Sequence, residues 1–79
     1  MIVRASARKH GMSDEDCVEA SSWPLLSVAL DDEDPQRVLR LGFDTKGRLL
    51  ELIVLIWDDR TEEIIHAMKA RLQYLRLLQ

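Results

Sequence analysis

The chain has 79 residues, 47% of them hydrophobic and 32% charged, with a formal net charge of −3; that make-up suits one small folded domain over residues 1–79 and excludes a disordered segment. The lone cysteine, Cys17, excludes an internal disulfide, no Cys/His cluster has zinc spacing, and the longest apolar run, Leu52 to Trp57, is far too short to cross a bilayer. The basic N-terminus lacks the apolar stretch of a signal peptide, so a cytoplasmic location is expected, with no membrane partner, metal or cofactor.

Charge is distributed in blocks. Residues 1–10, 37–48 and 64–79 are net basic, and residues 11–35 and 51–63 are net acidic. The acidic total does not attract nucleic acid as a whole, but three basic blocks converging in the fold would make a local cationic patch.

In chain order, Ile2 to His10 reads as a short helix closed by Gly11, which can adopt the left-handed conformation favoured at a helix C-terminus. Ser13 is an N-cap for a second helix, with Asp14, Glu15 and Asp16 in its electropositive first turn. Met12 before the cap and Cys17 within the helix have the spacing of a hydrophobic staple. Pro24 ends this helix by driving Trp23 out of the helical region.

After Pro24 the period changes to two. Residues 25–32 alternate as a half-buried strand, residues 31–35 form an acidic solvated turn, and residues 37–43 set Leu39, Leu41 and Phe43 against Arg40. "DTKG" (44–47) has hairpin chemistry, with Gly47 at positive φ. Residues 48–57 are apolar on both faces apart from Glu51, which marks the central strand. A turn at 58–61 leads to a strand over 62–68, after which Met68, Leu72, Leu75 and Leu78 recur at helical spacing. The fold class expected is α+β: two N-terminal helices, a four-stranded antiparallel sheet and a C-terminal helix, packed in two layers.

The stretches "ARKHGMSDEDCVEA", "RVLRLGFDTKGRLLELIVLIWDD" and "IIHAMKAR" together resemble the BrnT-type toxins of bacterial toxin–antitoxin pairs, over Ala7 to about Arg71. The likeness lies in the order and spacing of a Lys-His-Gly helix end, an Arg-x-x-x-Leu-Gly strand, a long apolar strand and a closing strand end. It implies a RelE-like two-layer fold and the toxin component of a type II system: a metal-independent endoribonuclease neutralised by a cognate antitoxin, itself a small DNA-binding protein. Lys9, His10 and Gly11 match the helix end, Arg37 the strand arginine and Lys69 the closing lysine. His66 stands where the family usually has serine and Met68 where it has arginine, and this chain is acidic where RNA-cutting members are commonly basic.

Metal-free RNA cleavage needs a base for the 2′-hydroxyl, an acid for the leaving oxygen, and cations for the developing phosphorane charge. His66, Lys69 and His10 are the catalytic candidates, and Arg8, Lys9, Arg37 and Arg71 the RNA-binding ones. Each has a plainer alternative: His66 as a hydrogen-bonded structural histidine, expected on the same sheet face as Ile64; His10 as a helix-end cation; Lys69, expected clear of the sheet, and Arg71 as solvated charges. Leu72, Tyr74, Leu75 and Leu77 carry more apolar surface than one sheet face covers, so they are candidates for binding the antitoxin or a second copy. The alternative to the toxin is a non-catalytic interaction subunit that works only within a complex.

Overall fold

The computed structural model describes residues 1–79. Five strands, β1 (Ile2–Val3), β2 (Leu26–Ala29), β3 (Gln36–Phe43), β4 (Leu49–Ile56) and β5 (Glu62–Lys69), form one sheet in the order β1-β5-β4-β3-β2. Strands β2 to β5 make an antiparallel meander, and β1 adds a parallel pair at the β5 edge. The helices are α1 (Asp14–Ser22) and α2 (Leu72–Leu75), with 3-10 turns at Ala5–Arg8 and Arg76–Leu78.

This corrects the expected fold: the sheet is mixed and five-stranded, and a single α-helix, α1, lies between β1 and β2 where two N-terminal helices were expected. Ile2 and Val3 pair with Glu63 and Ile64, which would otherwise present bare backbone at a sheet edge. The segment from Ile2 to His10 is also too short to hold a helix without tertiary help. What remains of it is the 3-10 turn, whose Ala7 is fully buried in the core. The C-terminal stripe fails for a related reason. Met68 belongs to β5, opposite Glu51, so the helical spacing from Met68 to Leu72 crosses a strand end and α2 is a single turn.

Helix α1 follows its sequence signals. The Ser13 hydroxyl accepts the Asp16 N–H at 3.1 Å, three acids occupy the first turn, and the helix stops at Trp23 before Pro24. Met12 and Cys17 join one buried cluster with Ala7, Ala20, Leu50, Leu52, Val54, Ile64 and Ala67. Each fully buried Leu, Val or Ile in it contributes about 1.5–3 kcal/mol. Gly42 lets α1 come this close, because a Cβ there would overlap the carbonyl group of Ala20. Gly11 and Gly47 both take positive φ, at 81° and 76°.

The even-numbered residues of β4 face α1. The odd ones face the other way, together with Leu39 and Leu41 of β3, their cross-strand partners being Ile53 and Glu51. On this second face Leu39, Leu41 and Glu51 are buried and Phe43 and Val28 are exposed.

One irregularity positions the site. Val54 pairs with Ile64 but Ile53 pairs with His66, leaving Ile65 as an extra residue, a β-bulge. The bulge puts both Ile64 and Ala67 in the α1-side core and turns His66 and Met68 to the second face. The expectation that His66 shares a face with Ile64 is thereby overturned, since it assumed unbroken alternation.

Candidate functional site

The centre of the site is Glu51, the third residue of the central strand β4 and only 1% exposed. Its Oε1 accepts the backbone N–H of Arg71 at 2.9 Å and the Arg71 Nε–H at 3.0 Å. Its Oε2 accepts Arg71 Nη2 at 2.8 Å and lies 3.0 Å from His66 Nε2. Burial pushes the Glu51 carboxyl up, but the Arg71 side chain and backbone, with His66, outweigh it and hold it below its ordinary value. Glu51 is therefore ionised at neutral pH.

An ionised carboxylate only accepts hydrogen bonds, so His66 Nε2 carries the proton. In neutral His66 that leaves Nδ1 with its lone pair, and Nδ1 makes no hydrogen bond within the protein. The His10 ring stands edge-on to His66 with centroids 5.7 Å apart. It is brought there by the N-terminal segment, which runs along β5 after β1: Arg4 N–H donates to Ile64 O at 2.9 Å, and the Ser6 hydroxyl donates to the carbonyl of the bulge residue Ile65 at 2.6 Å. The Arg71 guanidinium also lies over the Tyr74 ring, 5.4 Å from its centroid.

His10 from the N-terminal segment is thus brought beside His66 and Arg71, from the end of β5 and just after it, around Glu51 of β4. The remaining candidates are placed elsewhere. Lys69 is still within β5, opposite Leu50, and projects to the α1 side, away from His66; it does not clear the sheet as expected. Arg8 donates to both oxygens of Asp14 at 2.8 Å and to Val3 O. Arg37 is paired with Asp31 and stands opposite Leu55, four residues along β4 from Glu51, about 13 Å at strand spacing. Lys9, next to His10, is exposed and has no ion-pair partner. Leu72 and Leu77 are exposed, while Tyr74 and Leu75 are half-buried.

The three basic blocks do not merge, because acids of the intervening blocks take up most of their cations. Arg40 is bound by Glu62 at 2.8 Å and Arg4 by Glu63 at 2.6 Å. The hairpin cations close on α1. Asp16 accepts the Thr45 backbone N–H at 3.1 Å, the Thr45 hydroxyl, Lys46 Nζ at 3.0 Å and Arg48 Nη2 at 3.2 Å, and Asp44 takes Arg48 Nε at 2.6 Å. These bonds, led by the Thr45 hydroxyl and then Lys46, hold the Asp16 carboxyl far below its ordinary value. This cluster locks the β3–β4 hairpin to α1.

Glu51 is the residue that the sequence-based candidates lacked. Its signal was visible as the one carboxylate in an otherwise apolar strand, the kind of group that is kept buried only when paired.

No protein-family model matches the chain, and no match was found among the curated proteins or the solved structures searched. No helix is long and apolar enough to cross a membrane.

Proposed function

We propose that the protein is the toxin component of a type II toxin–antitoxin pair and cleaves RNA without a metal, using the site built on Glu51. The observation that carries this reading is the Glu51–His66 bond, with His10 and Arg71 beside it. His66 Nδ1 takes the proton of a ribose 2′-hydroxyl, the 2′-oxygen attacks phosphorus, and the P–O5′ bond breaks as His10, in its protonated form, gives its proton to the leaving 5′-oxygen. The products are a 2′,3′-cyclic phosphate and a free 5′-hydroxyl. The N–H groups of Arg71 not engaged by Glu51 face the developing phosphorane charge, with Lys9, adjacent to His10 and without an ion-pair partner, as a further cation. Glu51 does not touch substrate; it fixes the tautomer of His66 and the orientation of both partners.

The resemblance to the BrnT-type toxins supports the same reading and supplies the partner, a small DNA-binding antitoxin that covers Leu72, Tyr74, Leu75 and Leu77 when bound. The test is incubation of the purified chain with a single-stranded RNA oligonucleotide in the presence of EDTA. Products ending in a cyclic phosphate, lost in His66→Ala, are the expected result; no cleavage by the wild-type chain freed from its partner removes the catalytic assignment.

One observation favours a second reading, a non-catalytic interaction subunit. Leu72 is 63% exposed and Leu77 and Phe43 are about half exposed, apolar side chains that a partner would cover. On that reading the Glu51–Arg71 pair only anchors the C-terminal segment for docking.

A further inference from the structure

His66 is held in the manner of a metal ligand. Its Nε2 proton is bonded to Glu51 at 3.0 Å, and Glu51 is itself fixed by three bonds from Arg71. A carboxylate on one ring nitrogen sets the tautomer, stops the ring turning and makes the other nitrogen more basic, which is the usual support behind a metal-binding imidazole. The nitrogen left over, Nδ1, keeps its lone pair, and the ring is only half-buried.

A second imidazole stands at the matching distance. Two imidazoles bound to one Zn²⁺ at about 2.0–2.1 Å have ring centres about 5–6 Å apart, for N–Zn–N angles near or somewhat above tetrahedral. The centres of His10 and His66 are 5.7 Å apart. The rings are at 80° to one another, and His10 is exposed. Turning its ring about the Cβ–Cγ bond aims a nitrogen at the ion and leaves the ring centre nearly in place, while His66 does not move.

We propose that His10 and His66 form a Zn²⁺ site, with water completing the tetrahedron, whose occupancy shuts the RNA-cleaving pair. The site itself follows from the geometry; its effect on cleavage rests on the function proposed above. No cluster of three His, Cys, Asp or Glu side chains suited to a metal is present, so the ion has two protein ligands and exchanges with solvent, as an inhibitor rather than a structural ion. Both oxygens of Glu51 are engaged and its charge is offset by Arg71, so no free carboxylate faces the ion. Imidazole donors without carboxylate select Zn²⁺ over Ca²⁺ and Mg²⁺, which take oxygen ligands. The chain has no other histidine, and its one thiol, Cys17, is buried.

Coordination takes the His66 Nδ1 lone pair that would accept the 2′-hydroxyl proton. It also takes the His10 nitrogen that would carry the proton for the leaving oxygen, and that proton passes to solvent as the ion binds. Neither nitrogen can then move a proton, so Zn²⁺ stops cleavage and a chelator restores it.

Calorimetric titration of the full chain with Zn²⁺ tests this, with cleavage of the RNA oligonucleotide followed alongside. One Zn²⁺ per wild-type chain is expected. His10→Ala and His66→Ala are each expected to lose it, and Lys69→Ala to keep it. His10→Ala removes an exposed ring and decides the matter should His66→Ala fail to fold. A wild-type chain that binds no Zn²⁺ overturns the inference even if it cuts RNA, as does binding that survives in folded His10→Ala. Cleavage in EDTA that stops once Zn²⁺ exceeds the chelator supports it, and cleavage that continues with Zn²⁺ bound to both histidines overturns it. A chain that binds Zn²⁺ through both histidines yet cuts no RNA upholds the metal site and removes the cleavage reading.

Discussion

Arg71 holds Glu51 at three points, through its backbone N–H, Nε and Nη2, so one residue both ends the β5 excursion and neutralises the buried carboxylate of the central strand. Because Glu51 is fully enclosed, its charge persists only with these partners. Glu51→Gln keeps the size but turns part of the acceptor into a donor facing the Arg71 N–H groups. A loss of about 1–3 kcal/mol in urea unfolding is expected, the usual penalty for leaving a buried polar group mispaired. His66→Ala, which removes a half-buried group at the rim, is expected to unfold at nearly the wild-type urea concentration. Equal losses in the two variants would show that the site has no separate structural anchor.

Cleavage should divide the cations that the sequence grouped together. His66→Ala and His10→Ala are each expected to slow RNA cleavage by about 10²- to 10⁴-fold, the range for removing a general acid or base. Lys69→Ala is expected to cleave at close to the wild-type rate, because Lys69 projects to the α1 side of β5. Single-turnover rates on one oligonucleotide check all three, and a Lys69→Ala defect as large as that of His66→Ala would contradict the placement.

Stability should fall in acid through a small set of carboxylates. Glu51, Asp16 and Asp44 all have folded-state values below their ordinary ones, which are 4.5 for Glu51 and 3.8 for the two aspartates. A lowered folded value means that the unfolded chain binds protons first as pH falls. The stabilisation is therefore fully present above the ordinary values and is lost progressively below them. Urea midpoints should be flat from neutral pH down to about 5 and decline below it. Asp16→Asn should start lower at neutral pH and decline less steeply, since the bonds to Lys46 and Arg48 no longer depend on a titrating group. An unchanged slope would place the acid sensitivity elsewhere.

Gly42→Ala is expected to be among the most damaging single-methyl changes. The added Cβ overlaps the Ala20 carbonyl, a backbone group that moves only if α1 lifts from β3. Overpacking of this kind costs about 1–3 kcal/mol. Gly47→Ala meets no neighbour, so its penalty comes only from the positive φ. Thermal melts of the two variants compare steric with conformational strain directly.

The parts of the fold legible in the sequence were those fixed by local chemistry: the Ser13 cap, the Pro24 stop, the hairpin at Gly47 and the apolar central strand. The parts set by long-range pairing were not. Nothing local to Ile2 and Val3 shows that they complete the edge of a strand some sixty residues later, and the bulge at Ile65 is invisible to a period-two count. The site divides in the same way. His10, His66 and Arg71 stood out by residue type, while Glu51 mattered through burial, and Arg8 and Arg37 were set aside because Asp14 and Asp31 already hold them.

Ile65 makes the spacing of β5 tolerant of an unusual change. The ladder is in register with β4 on both sides of it, so a chain lacking Ile65 would run as a continuous strand, with Ile64 and Ala67 still beneath α1 and His66 still across from Ile53. What such a deletion removes is the carbonyl that Ser6 holds. Its effect would be felt one segment away, in the mooring of the N-terminal arm that carries His10. The extra residue thus governs, through Ser6, how firmly one imidazole is docked against the other.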